Sequence, residues 1–285
     1  MAALEPTFNE QAALFGERQS LVGIISKPVS ANATSAPAVI IFNTGIVHRI
    51  GHHRMYVKLA RMLAERGRTV VRFDFSGVGD SKPRSGGLSP LAASLADIKD
   101  VLDSVEKTHR ISQFVLVGLC SGADHAVLYG HTDPRVVGFV LMDPTMPPTP
   151  RYYLHYVLQR LTSVRNWISF VTLRSGLLRL LSAHVVNRMR PTDDLEGLTL
   201  QNLKFSSYLA KCYRRASERG IKMLSVFTAM SVRQTYERQM LEAFPETASG
   251  GALRLEFFPE SDHLFSAEKE RARLNRVILD WLRAN

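Results

Sequence analysis

The stretch VLVGLCSGADH, residues 115–125, decides the fold, because it begins as an apolar strand and ends as the first turns of a helix. Its bend has the form small–x–Cys–x–small, with Gly118 and Gly122 two residues to either side of Cys120. Glycines at these positions allow the strand and the helix to pack closely, and the central side chain then projects from a strained turn. The stretch therefore predicts a strand–turn–helix unit that presents the Cys120 thiol.

The same alternation of strand and helix patterns extends over most of the chain. The apolar, β-branched segments that predict strands are SLVGIIS, AVIIFN, TVVRFDF, QFVLVGL, VVGFVLMD, IKMLSVFTA and LRLEFFPE. Helical patterns lie between several of them, and one of these begins at a Ser-Pro pair, Ser89 and Pro90. Strands this continuously apolar fit a mostly parallel sheet with helices on both faces.

The alternation stops after Asp143. The segment PTMPPTP is followed only by helical patterns from residue 151 to about 216, and strands resume at Ile221. An insertion at the carboxyl ends of the strands lies where open α/β sheets bind ligands, so we expect a lid. The predicted organisation is a core of residues 1–150 and 217–285, interrupted by a helical lid of residues 151–216.

Composition places the chain among globular proteins. It has 285 residues, 45% of them hydrophobic, and its two cysteines, Cys120 and Cys212, are too few for a disulfide framework. The first residues lack the apolar region of a secretory signal, and no uncharged apolar run of about 18 residues predicts a membrane span. We therefore expect a cytoplasmic protein, in which Cys212 is a packing residue of a helix.

The net charge of +10 is concentrated in the predicted lid. Residues 151–216 hold 11 Lys and Arg against three Asp and Glu, a net +8. Such a surface can attract an acidic protein, an anionic membrane or nucleic acid. No zinc-finger spacing and no RNA-recognition signature occurs, so nucleic acid is not an expected partner. An acidic carrier protein, a membrane surface and a solvated basic face all stay open.

Side chains suited to nucleophilic catalysis follow the predicted strands. Cys120 occupies the position of the nucleophile, and Ser121 is its rival, although that register would place Leu119 where the bend is crowded. His263, in PESDHLFS, follows the last strand and is the expected general base. The remaining histidines that we considered are expected at the surface, in turns or in the lid: His48, His52, His53, His125 and His155.

An acid that orients His263 is less evident. Asp143 ends the segment VVGFVLMD and is the candidate, although an Asp-Pro turn would explain it equally well. Asp262 is adjacent to His263 in the chain and is expected to point elsewhere. The segment after MLSVFTA has no carboxylate before Glu237.

An oxyanion site is the remaining component. The segment IIFNTGI ends a strand in a glycine-containing turn, so we expect the backbone N–H groups of Gly45 and Ser121 to hold an oxyanion. This chemistry requires no metal and no organic cofactor.

These motifs resemble, in their order along the chain, those of enzymes with the α/β-hydrolase fold. The resemblance rests on DFSGVGDS, GLCSGA and DHLFS and covers roughly residues 17–145 and 220–285. NTG, HRMYVKLAR and GLCSGAD are similar to small hydrolases associated with exosortase and exopolysaccharide gene clusters. Cysteine at this bend also occurs in dienelactone hydrolases and polyhydroxyalkanoate synthases of the superfamily. The resemblance implies an α/β-hydrolase fold and places the usual triad acid after MLSVFTA, where this chain lacks one.

The sequence thus predicts acyl transfer through a Cys120 acyl-enzyme, with His263 as the base and a small ester or thioester as the substrate. Esterase, thioesterase and acyltransferase activities are all consistent with it. Two other functions stay open. The missing acid favours a non-catalytic binding or scaffold protein, and aromatic residues beside arginines in the lid favour a lipid-directed hydrolase at a membrane surface.

Overall fold

Eight strands form one sheet in the part of the chain that the computed structural model describes, residues 7–16, 18–29, 36–146, 151, 203–229, 239–248 and 252–285. The strand order is β1-β2-β4-β3-β5-β6-β7-β8. The strands are β1 (Phe8–Phe15), β2 (Leu21–Pro28), β3 (Ala38–Ile41), β4 (Val70–Phe73), β5 (Phe114–Leu119), β6 (Val136–Met142), β7 (Lys222–Thr228) and β8 (Leu253–Phe258). Only the pairs β1–β2 and β2–β4 are antiparallel. The predicted mostly parallel α/β-hydrolase sheet is confirmed.

The first strand was not predicted from the sequence. The apolar run of the segment FNEQAALF is limited to its last four residues, AALF, and most of its residues are at least partly exposed. It is an edge strand that pairs with β2 alone, so little of it needs to be apolar. Its Glu10 forms ion pairs with Arg61 and Arg72, and these contacts between distant segments leave no local signal.

Helices cover both faces of the sheet. They are α1 (Met55–Ala64), α2 (Pro90–His109), α3 (Ser121–Gly130), α4 (Leu203–Glu218), α5 (Gln239–Ala243), α6 (Pro245–Ala248) and α7 (Glu268–Ala284). The predicted Ser-Pro start of α2 is present: the Ser89 hydroxyl accepts the Ala92 N–H, and Pro90 is the first helical residue.

Alternate residues of the central strands pack into two separate core layers. In β5, Leu116 belongs to the layer that contains side chains of α2, α3 and α4. Its neighbours Val115 and Val117 belong to the layer that contains side chains of α1 and α7. Both faces of the strand are therefore buried, which explains why its sequence is continuously apolar rather than alternating.

The last part of the predicted lid packs as part of the core. Helix α4 overlaps that segment, and its Leu209, Cys212, Tyr213 and Ala216 are buried in the layer shared with α3. Residues 152–202 lie outside the described residues, so the lid itself stays a prediction. No helix in the described ranges is long and apolar enough to cross a membrane.

Candidate active site

The carboxyl ends of four neighbouring strands bring three predicted site residues together with one that was not predicted, Thr228. Cys120 follows β5, Asp143 follows β6, Thr228 is the last residue of β7, and His263 lies in the loop after β8. These strands are adjacent and parallel in the order β5-β6-β7-β8, so their carboxyl ends lie at one edge of the sheet. Residues far apart in sequence thereby share one site.

The bend at Cys120 has the strained geometry that its sequence predicts. Its φ of 55° and ψ of −121° lie outside the regions that non-glycine residues favour, a strain of about 1–3 kcal/mol. A Cβ on Gly118 would lie 2.2 Å from the carbonyl carbon of Gly122, and a Cβ on Gly122 would lie 2.5 Å from the Asn43 carbonyl oxygen. Gly118 therefore allows β5 and α3 to approach each other, and Gly122 allows α3 to approach the segment after β3.

Ser121 does not occupy the bend. It is the first residue of α3, and its Oγ accepts a hydrogen bond from the Gly45 N–H at 2.9 Å. The two predicted oxyanion residues are thus in direct contact, and the Gly45 N–H is directed at the Ser121 hydroxyl. The Ser121 N–H belongs to the first turn of α3, where backbone N–H groups have no acceptor within their own helix.

His263 lies between the predicted acid and the predicted nucleophile. Its Nδ1 is 2.8 Å from Asp143 Oδ2, and the Cys120 side chain lies beside its imidazole. The hydrogen bond with Asp143, and then the nearby Cys120 side chain, raises the pKa of His263 to about 10, although partial burial opposes this. The imidazole is therefore predominantly protonated at neutral pH.

Asp143 is held by the end of β7 as well as by His263. Its side chain is fully buried and its φ is 43°, a second strained position at the site. Oδ1 accepts the Thr228 N–H at 2.8 Å, and Oδ2 accepts the Thr228 hydroxyl at 2.6 Å. The sequence analysis missed Thr228, and the signal that could have indicated it was the absence of a carboxylate after β7.

Among the described residues, the other candidate acid is Asp262, and no hydrogen bond joins its carboxylate to His263 there. Asp262 accepts the Ser266 N–H at 2.8 Å, and this contact lowers the pKa of its carboxyl. Its carboxylate thus stabilises the turn around His263 rather than the imidazole. Glu237 lies outside the described residues.

One histidine differs from its expected position. His125 lies on α3 and is buried beside Phe75, where burial lowers its pKa to about 4. It is a neutral core residue rather than a surface one, because α3 is buried along most of its length and the His125 ring packs against Phe75 in the loop after β4. His155 lies outside the described residues. No group of three potential metal ligands occurs in the described part of the chain.

A buried carboxylate supports the turn that carries Gly45. Asp74, in the motif DFSGVGDS, is fully buried and accepts the Arg49 N–H at 2.6 Å and the Asn43 amide at 3.1 Å. It also forms an ion pair with the Arg49 guanidinium. Asn43 Oδ1 in turn accepts the Phe75 N–H at 2.7 Å. The motif that the sequence analysis linked to the fold therefore also connects β4 to the predicted oxyanion turn.

Comparison with protein families identifies the fold family. The model of the family described as serine aminopeptidase, S33, matches residues 36–219. The chain belongs to this family of α/β hydrolases. The name of the family refers to serine enzymes, whereas this member has Cys120 at the bend. No curated protein matches the chain in sequence.

Solved structures with the same architecture cover nearly the whole chain. An α/β serine hydrolase homologue from Coxiella burnetii is 17% identical, with a TM-score of 0.58 over 95% of this chain and 96% of that one. An esterase domain from Rhodothermus marinus is 15% identical, with a TM-score of 0.57 over 97% and 98%. An esterase of Pyrococcus furiosus is 11% identical, with a TM-score of 0.60 over 98% and 92%. Identities this low establish the fold alone.

Proposed function

We propose that this family member catalyses acyl transfer through a covalent intermediate on Cys120. The observation that carries the proposal is the continuous set of contacts from the Cys120 side chain through His263 to the buried Asp143 carboxylate. A nucleophile beside a base, itself oriented by a third group, is the arrangement that covalent catalysis requires. Membership of a hydrolase family supports the same reaction class.

The proposed reaction uses Cys120 as the nucleophile and His263 as the group that carries the proton. The Cys120 thiolate forms a bond to the substrate carbonyl carbon, and the Ser121 N–H stabilises the resulting oxyanion. The Gly45 N–H joins it only when it leaves the Ser121 hydroxyl, to which it is bonded in this structure. Because the pKa of His263 is raised, it already carries the proton that the leaving thiol or alcohol takes when its bond to the carbonyl carbon breaks. The neutral imidazole then removes a proton from the acceptor that releases the acyl group.

A thioester is the substrate class that suits a cysteine nucleophile best. The acyl-enzyme is itself a thioester, so its formation from a thioester substrate is roughly balanced, whereas capture by an amine or alcohol is favourable. This favours acyltransferase or thioesterase activity on a biosynthetic intermediate.

An acidic carrier protein is the partner that the charge distribution favours. Arg214 and Arg215 are exposed on α4, within the segment that carries the net charge of +8. Long-range attraction between such a surface and an acidic carrier would raise the rate of encounter.

Intact-mass spectrometry tests this proposal. The protein is incubated with short-chain and long-chain acyl thioesters, and we expect one acyl group to be added at Cys120, removable by hydroxylamine. A Cys212→Ala variant serves as the matched control and should be acylated equally. Absence of any adduct, with the Cys120 thiol also inert to alkylation, would favour the scaffold alternative. An adduct formed only in the presence of anionic vesicles would favour the lipid-directed alternative.

A further inference from the structure

The end of β7 contacts the site through a threonine rather than a carboxylate. Thr228 is the last residue of β7 and is almost fully buried. It donates two hydrogen bonds to the Asp143 carboxylate, one from its backbone N–H to Oδ1 and one from its hydroxyl to Oδ2. The backbone N–H of Asp143 in turn donates a hydrogen bond to the carbonyl oxygen of Val226, also in β7, at 2.8 Å. The two strand ends are therefore joined by three hydrogen bonds.

The Asp143 carboxylate has few other sources of stabilisation. It is fully buried, and within the described ranges no Arg or Lys forms an ion pair with it. A buried carboxylate is unfavourable unless hydrogen-bond donors surround it. Thr228 supplies two such donors and His263 supplies the third.

Only one of the two Thr228 donors depends on the side chain. Any residue other than proline would supply the backbone N–H, whereas the hydroxyl requires threonine or serine. The hydroxyl bonds Oδ2, the same oxygen that His263 Nδ1 contacts. It therefore determines which carboxylate oxygen faces the imidazole and in which direction.

From these contacts we infer that Thr228 is a positioning residue of the active site, whose hydroxyl holds the Asp143 carboxylate against His263. The residue at the end of β7 thus supports the acid that lies at the end of β6. This inference rests on the proposed function where catalysis is concerned, although the geometry it describes can be tested without a substrate.

Three variants of β7 test the inference. Thr228→Val keeps the shape and the backbone donor but removes the hydroxyl. Thr228→Ser keeps the hydroxyl. Ser225→Ala is the matched control, because Ser225 is a fully buried hydroxyl of the same strand for which no hydrogen-bond partner exists among the described residues.

The first measurement is kinetic, with an acyl thioester that acylates the wild-type protein. Thr228→Val should lower kcat roughly tenfold with little change in KM, as expected for the loss of one hydrogen bond to a charged group. Thr228→Ser and Ser225→Ala should retain kcat within about twofold. Wild-type kcat in Thr228→Val, or failure of Thr228→Ser to restore it, would overturn the inference.

The second measurement needs no substrate. The Nδ1 proton of a histidine hydrogen-bonded to a carboxylate gives a far-downfield NMR resonance, which should be present in the wild type and in Ser225→Ala. It should broaden or disappear in Thr228→Val and return in Thr228→Ser. An unchanged resonance in Thr228→Val would overturn the inference. Failure of the wild type to form a Cys120 adduct would instead count against the proposed function alone.

Discussion

The two cysteines of this chain have opposite surroundings. Cys120 lies at the end of β5, partly exposed, on a strained bend and beside His263. Cys212 lies within α4, is 1% exposed and packs in the core layer shared with α3. Burial raises the pKa of the Cys212 thiol to about 12. The comparison teaches that the neighbours of a thiol, not the residue type, decide its chemistry.

The two thiols also differ in the groups that surround them. Lys211 and Arg215 lie near Cys212, but their effect on its pKa is smaller than that of burial. Cys120 instead has an imidazole in direct contact, and that imidazole is supported by Asp143. Cys212 therefore stays a neutral packing thiol, whereas Cys120 has beside it the proton-carrying group that nucleophilic catalysis requires.

The largest difference between the two sites should appear on truncation. Cys120→Ala should abolish acyl-adduct formation and turnover while leaving the fold intact, because the bend needs only a small side chain. Cys212→Ala should retain turnover and lower the free energy of unfolding by on the order of 1 kcal/mol. Turnover assays and urea unfolding of both variants measure these effects. Full turnover in Cys120→Ala would refute the proposed mechanism. Cys120→Ser should retain at most a small fraction of the wild-type turnover.

Alkylation should separate the two thiols in the wild-type protein. With a pKa of about 12, Cys212 holds roughly one thiolate in 10⁵ molecules at pH 7, and it is also inaccessible. Iodoacetamide should therefore modify Cys120 faster by several orders of magnitude, as measured by peptide mass spectrometry over time. Comparable rates in the folded protein would show that Cys120 is no more activated than a packing thiol.

Replacing Asp143 should lower the reactivity of Cys120 and leave that of Cys212 unchanged. Asp143→Asn should lower kcat/KM by about 10- to 10³-fold, less than the loss of the nucleophile, because the thiolate and imidazolium also stabilise each other. If Asp143→Asn keeps the wild-type kcat/KM while Asp262→Asn or Glu237→Gln lowers it, Asp143 is not the acid that orients His263.

The same variant has a defined pH signature. The raised pKa means that protonated His263 stabilises the folded state fully below about pH 6.5, and that this contribution is lost as the pH rises through about 10. Asp143→Asn should lower the pKa of His263 and so shrink this pH dependence. The NMR titration of His263 and urea unfolding across that pH range measure both quantities. An unchanged His263 titration would show that Asp143 does not support the imidazole.

The smallest expected effect concerns the outer face of the helix that buries Cys212. Neutralising Arg214 and Arg215 together should lower kcat/KM several-fold for an acyl group on an acidic carrier at low salt, and leave a small free thioester unaffected. High salt should reproduce the effect in the wild type. Equal salt dependence of kcat/KM for both substrates would show that Arg214 and Arg215 do not attract an acidic carrier protein.

Much of the fold and part of the site could be predicted from the sequence because the signals are local. The spacing of Gly118, Cys120 and Gly122 specifies one strand–turn–helix unit, and both glycines prove to be sterically required. Continuous apolar runs indicate strands buried on both faces. His263 could be selected because it follows the last such strand. The edge strand β1 was missed because it is largely exposed and has no comparable run.

Only the tertiary structure decided which groups meet at the site. Asp143 is 120 residues from His263 and 85 from Thr228, and no local pattern specifies that they touch. Strand order places the ends of β6, β7 and β8 side by side, and the positive φ at Asp143 belongs to the buried conformation in which its carboxylate meets both partners. The contact of Gly45 with Ser121 spans 76 residues in the same way. Local sequence determines the elements, whereas hydrogen bonds between their ends depend on the register and distances that only the assembled sheet provides.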